Sequence, residues 1–532
     1  MKILQHHSQL NLLGINRPNR IYWQMNTPQL YEEAVQRHEG YVAHLGPLVV
    51  RTGDQSTLAH SDRFIVAEPA TQGNISWGEI NRSFQPERFD KLLLRMGAYF
   101  NGLDVFVQDA YVRTSSEGDL MPLRVITETA WHNLFVRNTY LHPEPDELDD
   151  FVPEFTVMHA PGFRANPERD GTNSDVFVVI HLSRKLILIG GTSFAGEIQK
   201  AIFSVINYLL PRQDILTIEA SSNINDKGEA ALFVGVDGSG KTCLATDNTR
   251  LFLGDTEHGW DHNGIFSISR GCYANVLGLS MDEATDVWQT TRRFGTLLEN
   301  VVVDVETRRL DLDNDSFTEN TRASYPISHL LRSSRTGIAE HPHHIFLLAK
   351  DGDGVLPVIS KLTPEQAYFF FLSGYTTEIT SDYYGKPIAR RRFSACYGAP
   401  FMPLHPGHYA QMFAERVNLY RPKVWLLNTG WMGGAFGTGG RVPVEVSRAA
   451  VRAVLGGKLD NVDYMTESTF GLQIPSYCPG IPENMLNPVA KWSDKASYDK
   501  AAQALKVAFD EHLAQYQDEV NSELLTAQPR FS

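Results

Sequence analysis

The stretch GVDGSGKT at residues 235–242 constrains the fold of this chain more than any other part of the sequence. An apolar run at 230–234 precedes it and a segment able to start a helix follows it, which is the context of a phosphate-binding loop. Glycines let the backbone wrap around a phosphate group, so that successive N–H groups point at its oxygens. The sequence therefore predicts a binding site for a nucleoside triphosphate.

The side chains in and after this loop have distinct expected roles. Lys241 is expected to reach the β and γ phosphates, and the Thr242 hydroxyl is expected to bind Mg²⁺. Asp255 ends a second apolar run, RLFLGD, where an acid is expected beside the same Mg²⁺ ion. The predicted phosphate cradle is completed by Gly238, Ser239 and Gly240.

Bulk composition narrows the class of protein. The 532 residues are too many for one ordinary core, and 48 basic against 62 acidic residues give a net charge of −14. This acidic balance argues against a nucleic acid or an anionic membrane as the main partner. The N-terminus lacks the apolar segment of a secretion signal and the four cysteines form no CxxC pair, so a cytoplasmic location is expected. Oligomeric state leaves no mark in the sequence.

Short β-branched and aromatic runs alternate with helical stretches, which predicts a mixed α/β fold. The spacing of apolar residues predicts a helix over 195–210 and another near the C-terminus, where Tyr498, Leu505 and Phe509 share one face. A break at LLPRQD predicts an N-terminal domain of residues 1–212 and a nucleotide-binding domain of residues 213–532. The six clearest predicted strands lie within 175–182, 185–191, 231–236, 250–255, 344–350 and 423–430.

Several longer motifs resemble those of ATP-dependent phosphoenolpyruvate carboxykinase. They include GDTEHGW, IGGTSFAGEIQK, LLENVV, TENTRASYPI and NTGWMGGAFGTGGR, and the resemblance covers about residues 45–525. It implies a bilobal fold with an N-terminal α/β domain, a C-terminal mononucleotide-binding P-loop domain and an active site in the cleft. It also implies the conversion of oxaloacetate and ATP into phosphoenolpyruvate, CO₂ and ADP. In that family Mg²⁺ accompanies the nucleotide, and a second ion, typically Mn²⁺, lies at the substrate.

Carried over residue by residue, the resemblance leaves the nucleotide half intact. Glu299 matches an acid near the nucleotide, and Arg441 and Ser447 match residues that contact the adenosine portion. Arg322 matches the arginine that faces the γ-phosphate and the substrate.

The resemblance also implies a mobile lid near residues 380–397. Three adjacent arginines lie there, Arg390, Arg391 and Arg392. Either they bring positive charge over the cleft when the lid closes, or they form a solvated basic stretch.

The acceptor half departs from the family pattern. Leu58 takes the place of an arginine that binds the substrate carboxylate, and leucine offers no hydrogen bond. Phe194 replaces a tyrosine that contacts substrate, so the ring is kept and the hydroxyl is lost. Gln199 replaces the first of two adjacent lysines.

The predicted second-metal position is also altered. The family's ligands are a lysine, a histidine and an aspartate, and the matching residues here are Lys200, Glu219 and Thr256. Two arrangements are open: a metal held through hard oxygens, or an ion pair between Lys200 and Glu219 that takes the place of the metal.

Three functions are therefore compared. The first is an ATP-dependent phosphotransferase that uses another acceptor, with Asp237 beside the phosphates as a candidate base for an acceptor hydroxyl. The second is the carboxykinase reaction itself, and the third is a non-catalytic ATP-binding regulator. The identity of the acceptor, a small molecule or a protein, cannot be read from the sequence.

Overall fold

The computed structural model describes residues 9–247, 249–281, 285–381 and 386–516. Spatial contacts divide the chain into two compact units. Unit 1 comprises Met1–Gln213, Ser267–Ser333 and Pro400–Leu404. Unit 2 comprises Asp214–Phe266, Ser334–Ala399 and His405–Ser532.

The main sheet of unit 1 is mixed. In the described part of this unit it contains eight strands: β1 (Arg20–Trp23), β4 (Arg63–Val66), β5 (Arg82–Phe84), β6 (Asp104–Arg113), β7 (Leu120–Thr127), β8 (Phe155–Ala160), β9 (Phe177–His181) and β10 (Leu186–Gly190). Their order across the sheet is β1-β6-β7-β8-β10-β9-β4-β5. The β6–β7 and β9–β10 pairs are antiparallel, whereas β1–β6, β7–β8, β8–β10, β4–β9 and β4–β5 are parallel.

A second sheet of unit 1 carries two of the predicted site residues. Its described strands are β2 (Gly40–Val42), β3 (Leu48–Val50), β16 (Gly271–Asn275), β17 (Leu297–Glu299) and β20 (Arg322–Pro326), in the order β16-β20-β17-β3-β2. A small ribbon consists of β18 (Val302–Val303) and β19 (Leu310–Asp311).

The helices of unit 1 pack against these sheets. They are α1 (Thr27–Gln36), α2 (Pro86–Tyr99), α3 (Ala130–Thr139), α4 (Pro167–Asp170), α5 (Gly196–Leu209) and α7 (Thr285–Thr290). Helix α2 starts with Pro86, whose fixed φ suits the first turn, and its apolar face joins the sheet residues Val105 and Val107 in one core. Helix α5 coincides with the predicted helix and is buried on all sides, so it is a core helix.

Unit 2 is built around one large sheet. Its described strands are β11 (Leu216–Ile224), β12 (Ala230–Val234), β13 (Leu251–Gly254), β14 (Glu257–Trp260), β15 (Ile265–Ser267), β21 (Ile338–Ala339), β22 (Pro342–Ala349), β23 (Ile359–Lys361), β26 (Lys423–Asn428), β29 (Tyr464–Thr466) and β30 (Gln473–Pro475). They run in the order β21-β15-β14-β11-β12-β22-β26-β23-β30-β29, and β13 also pairs with β11. Together with β9 and β10 of unit 1, β12, β13, β22 and β26 confirm the six predicted strands.

The remaining elements of unit 2 are two hairpins and the helices. The hairpins are β24 (Tyr375–Ser381) with β25 (Pro387–Phe393), and β27 (Trp431–Met432) with β28 (Gly440–Arg441). The helices are α6 (Lys241–Ala245), α8 (Pro364–Ser373), α9 (Pro406–Tyr420), α10 (Val444–Leu455), α11 (Glu483–Leu486) and α12 (Lys495–Ala514). Helix α12 confirms the predicted C-terminal helix, and its face of Tyr498, Leu505 and Phe509 is buried.

The fold is thus mixed α/β, as predicted. Strands β12, β22 and β26 are neighbours and run parallel, so the loops after them meet at one edge of the sheet of unit 2. The loop after β12 is the GVDGSGKT segment. Among the described helices, none combines the length and the apolar character needed to cross a bilayer.

Candidate active site

The glycine-rich loop, residues 235–242, joins strand β12 to helix α6. Gly238 and Gly240 have φ angles of 76° and 97°, in the left-handed region that side chains other than glycine rarely adopt. At Gly235 an added Cβ would lie 2.5 Å from the Ser239 Oγ, so the loop can close only with glycine there. The buried Ser239 is held from the neighbouring segment, because the Thr429 hydroxyl donates to its carbonyl at 2.9 Å.

Lys241 lies buried beneath this loop. Its ammonium group donates to the Gly235 carbonyl at 2.6 Å and lies 3.4 Å from the Glu219 Oε1. The Asp237 carboxylate is 3.9 Å away, and its side chain is 46% exposed. Strand register explains the Glu219 contact, because β11 pairs antiparallel with β12 and sets Ala220 opposite Val234, directly before the loop. The structure therefore brings Glu219, Asp237 and Lys241 together.

Thr242 and Asp255 form the second contact within the predicted nucleotide half. The Thr242 hydroxyl donates to the Asp255 Oδ1 at 2.9 Å, and the Ser221 hydroxyl donates to the same oxygen. The other oxygen, Oδ2, is buried and has no hydrogen-bond partner among the described residues. Burial raises the pKa of Asp255, while the two hydroxyl donors and the charge of Lys241 oppose that rise.

The Thr242 and Asp255 oxygens fit a magnesium ion. Mg²⁺ prefers hard oxygen ligands, and it is commonly held in nucleotide sites by a hydroxyl and a carboxylate together with phosphate oxygens. An anionic oxygen that is buried without a partner is costly, so the Asp255 Oδ2 favours a cation beside it. These two residues are the ones that would hold the metal.

The positions expected to bind a second metal have a different character. Glu219 is engaged with Lys241, and Thr256 offers only a hydroxyl, in a turn where its φ is 64°. A β-branched residue in this left-handed region is strained, which is a feature of functional turns. No group of three or more His, Cys, Asp or Glu side chains able to hold a metal occurs in the described ranges. The alternative ion pair between Lys200 and Glu219 stays a prediction.

The residues expected near the adenosine portion follow the glycine run after β26. Arg441 of β28 lies over the ring of Trp431 of β27, with its guanidinium carbon 5.9 Å from the ring centroid. Phe436 packs edge-on against the same ring at 5.1 Å. Ser447 is buried within α10, and the next residue, Arg448, donates to the Cys243 sulfur at 3.1 Å. Helix α10 thus touches the helix that follows the glycine-rich loop.

In unit 1, Glu299 and Arg322 are direct cross-strand partners of β17 and β20. The Tyr273 hydroxyl donates to the Glu299 Oε1 at 2.8 Å, and the Arg322 guanidinium carbon lies 5.4 Å from the Tyr273 ring centroid. Arg322 also donates to the Asn320 side chain at 2.7 Å. Burial raises the pKa of Glu299 from its ordinary 4.5 to about 8, against the hydrogen bond from Tyr273 and the charge of Arg322. Tyr273 thus holds the acid and packs under the arginine.

The raised pKa of Glu299 predicts a pH dependence of stability. The folded carboxyl keeps its proton between pH 4.5 and about 8, where the unfolded one has lost it. The folded state then binds more protons, so the free energy of unfolding falls as pH rises through this window, by on the order of a few kcal/mol. Glu299→Gln is expected to remove this term. Urea unfolding at several pH values would show a shallower decline in the variant, and identical pH profiles would contradict it.

The acceptor-side positions of unit 1 cluster around helix α5. Phe194 is buried just before the helix, and its ring centroid is 6.0 Å from that of Tyr273. Gln199 is buried and its Oε1 has no hydrogen-bond partner among the described residues. The Lys200 ammonium is buried between aromatic rings, 4.9 Å from the Phe401 centroid and 5.3 Å from that of Phe203.

Leu58 is half-buried, and the residue after it is tied to the same helix. The Ala59 N–H donates to the Glu197 Oε1 at 2.6 Å. The other Glu197 oxygen pairs with Arg63 of β4 at 2.5 Å. The position that resembles the carboxylate-binding arginine therefore sits in a loop anchored by a buried ion pair, and it carries an apolar side chain.

The predicted lid contains residues 382–385, which lie outside the described residues, but its arginines belong to β25. Arg391 makes a two-pronged contact with Asp353, at 2.7 and 2.8 Å, and donates to the Ala504 carbonyl at 3.1 Å. Arg392 lies 3.4 Å from Glu378, and Arg390 is exposed. Arg391 is thus engaged in holding the hairpin, and delivery of charge by the arginines to a ligand stays a prediction.

Sequence reasoning missed three residues with clear places in these clusters. Ser221 supports Asp255, Tyr273 supports Glu299, and Trp431 faces Arg441. Trp431 lies inside NTGWMGG, a motif already recognised, so its aromatic face beside a glycine run was a usable signal. Ser221 and Tyr273 are ordinary strand residues, and only strand pairing shows what they contact.

Comparison with known proteins agrees with this geometry. A family described as "Phosphoenolpyruvate carboxykinase" matches residues 19–484. The "Phosphoenolpyruvate carboxykinase (ATP)" of Geobacter sp. (strain M21) is 47% identical over 517 residues, which are 97% of this chain and 98% of that protein. The protein of the same name from Pelobacter propionicus is 46% identical over 515 residues, 97% of each chain. The one from Thermus thermophilus is 45% identical over 526 residues, 98% of this chain and 99% of that protein.

Proposed function

Because this chain belongs to the ATP-dependent phosphoenolpyruvate carboxykinase family, we propose that it converts oxaloacetate and ATP into phosphoenolpyruvate, CO₂ and ADP. Family membership makes the chain an ATP-dependent phosphotransferase that uses a divalent metal. The finer assignment, oxaloacetate as the acceptor, is supported by relatives named for this reaction that share nearly half of their residues with it.

The observation that carries the proposal is the cluster of Lys241, Thr242 and Asp255. Lys241 lies under a loop whose glycines leave the backbone N–H groups accessible, so it is placed to neutralise the charge of the transferring phosphoryl group. Thr242 and Asp255 would hold Mg²⁺, which supplies charge neutralisation between the phosphate oxygens. Phosphoryl transfer depends mainly on such positioning and on electrostatic stabilisation.

The carboxykinase reaction also needs the enolate of the decarboxylated substrate to be stabilised. In this chain Arg322 is the cation that the resemblance puts at the substrate, and its contacts with Tyr273 and Asn320 fix its direction. Lys200, enclosed by two phenylalanine rings, supplies a second positive charge in unit 1. We expect the acceptor to bind through these cations.

A second candidate function is phosphoryl transfer to a different acceptor, and specific residues favour it. Leu58 and Phe194 offer no hydrogen bond where the resemblance puts an arginine and a tyrosine, and Glu219 pairs with Lys241. One missing electrostatic donor costs about 3–4 kcal/mol of transition-state stabilisation, so these changes weaken oxaloacetate chemistry most. The nucleotide cluster is untouched by them. Asp237, 46% exposed and 3.9 Å from Lys241, stays the candidate base for an acceptor hydroxyl.

One assay separates the candidates. ADP and phosphoenolpyruvate are measured together with purified chain, Mg-ATP and Mn²⁺, with and without oxaloacetate, using Lys241→Ala as the control. Phosphoenolpyruvate formed in step with ADP, and lost in the control, supports the carboxykinase proposal. ADP formed without phosphoenolpyruvate contradicts it and favours the second candidate, whose acceptor is then sought by transfer of labelled γ-phosphate. ATP binding without any ADP contradicts both and leaves a non-catalytic regulator.

A further inference from the structure

The ammonium group of Lys241 lies in an unusually acidic environment for a phosphate site. The Glu219 Oε1 is 3.4 Å from the Nζ atom and the Asp237 Oδ1 is 3.9 Å from it. The charge of Lys241 also acts on the Asp255 carboxylate. Three carboxylates therefore share one lysine, so the site is formally negative before any nucleotide arrives.

Burial ranks the first two carboxylates. The Glu219 side chain is 4% exposed and that of Lys241 is 6% exposed, so water screens their interaction little. The Asp237 side chain is 46% exposed, and solvent weakens its field at the same lysine. Although the two distances differ by only half an ångström, Glu219 dominates the electrostatics at the Nζ atom.

The hydrogen bonds of Lys241 show what a phosphate must meet. An ammonium group has three donors, of which one goes to the Gly235 carbonyl at 2.6 Å and another faces Glu219. A phosphate oxygen that binds the ammonium group must therefore either replace the Glu219 carboxylate or lie beside it. Both outcomes cost free energy, because a buried carboxylate then loses its cation or gains an anionic neighbour.

A divalent cation removes this cost. The Thr242 and Asp255 oxygens fit Mg²⁺ on the same side of the loop, and the ion lowers the net negative charge of the triphosphate. Free ATP brings no such compensation and meets the Glu219 field in full. Glu219 thus penalises the two forms of the nucleotide unequally.

We propose that Glu219 is a specificity-determining residue that makes the glycine-rich loop accept metal-bound ATP and reject free ATP. The inference rests on the proposed function in requiring that the loop binds ATP, and it is independent of the acceptor. It also gives Glu219 a role through its charge on Lys241, whether or not a second metal binds.

The test is a titration of the full chain with ATP in excess Mg²⁺ and, separately, in a chelator, followed by calorimetry. For Glu219→Gln we expect the affinity for free ATP to rise by at least about tenfold, while that for Mg-ATP changes by less than about threefold. Asp237→Asn is the matched control, since it removes a carboxylate that is nearly as close but exposed. It should shift the affinity for free ATP less than Glu219→Gln does.

The outcomes distinguish the inference from the function it rests on. If the unchanged chain binds neither form of ATP, the proposed function fails and the inference fails with it. If the chain binds Mg-ATP but Glu219→Gln improves both forms equally, or neither, the inference alone is wrong. An equal gain in Asp237→Asn and Glu219→Gln also contradicts it, because burial would then not rank the two carboxylates.

Discussion

A Lys241→Ala variant is expected to lose ATP-dependent phosphoryl transfer by on the order of a hundredfold to a thousandfold, the usual cost of removing one preorganised cation or donor. It is also expected to lose stability, because Glu219 keeps its burial and loses the cation 3.4 Å away. Breaking a buried ion pair from one side costs about 3–5 kcal/mol. ADP release and urea unfolding of the purified variant measure the two effects.

The double variant Lys241→Ala/Glu219→Gln separates folding from chemistry. Without a buried carboxylate in need of a partner, most of the lost stability should return, whereas phosphoryl transfer should stay as low as in Lys241→Ala. If the double variant regained activity, the loss in the single variant would be a folding defect and the catalytic assignment of Lys241 would be wrong. If the single variant were as stable as the unchanged chain, the ion pair would contribute nothing in solution.

The local parts of the fold and site were accessible from the sequence. The segment from β12 through α6 is predictable because its glycines, lysine and threonine follow each other within one short loop, and the backbone conformation depends on those residues alone. Asp255 is predictable because an acid at the end of an apolar run marks the same sheet edge. Buried helix α5 and the apolar face of α12 follow from helical spacing in the same way.

The contacts that distinguish this chain depend on strand pairing and were not accessible. Glu219 and Lys241 are 22 residues apart, and they meet because β11 and β12 pair with Ala220 opposite Val234. A shift of one residue in that register would turn the Glu219 side chain to the other face of the sheet. For the same reason the sequence interpretation paired Glu219 with Lys200 or a metal and did not consider Lys241.

Tyr273 shows the same limit in unit 1. Its hydroxyl meets Glu299 across strand β20, which separates β16 from β17, and no pattern along the chain marks a tyrosine in such a strand. The resemblance identified Glu299 as an acid but not the residues that set its proton affinity. Those residues come from neighbouring strands, so the pKa of Glu299 is a property of the sheet.

Removing Arg63 is expected to destabilise unit 1 by about 3–5 kcal/mol, because it leaves the Glu197 carboxylate buried without its cation. The pair is 2.5 Å long, and the Glu197 side chain is fully buried while that of Arg63 is 7% exposed. Arg63→Met keeps much of the side-chain volume, so the loss reports charge more than packing. Urea unfolding near neutral pH measures it.

The pH dependence of that loss identifies its cause. Burial already raises the pKa of Glu197, and the charge of Arg63 opposes the rise. Without Arg63 the folded carboxyl should hold its proton to higher pH than the unfolded one, so the variant loses stability relative to the unchanged chain as pH rises above about 4.5. The deficit should therefore be smaller near pH 5 than near pH 8. A deficit independent of pH would point to lost packing against Phe401, which the Arg63 guanidinium overlies at 5.3 Å.

The double variant Arg63→Met/Glu197→Gln completes the argument. A neutral glutamine can still accept the Ala59 N–H that anchors the loop of Leu58, so most of the stability should return and the pH dependence should vanish. Glu197→Ala, in contrast, removes that acceptor and leaves Arg63 as the unpaired buried charge. If Glu197→Ala proved as stable as the glutamine double variant, neither the ion pair nor the Ala59 hydrogen bond would hold this loop, and the anchoring of the Leu58 position to helix α5 would have to come from packing alone.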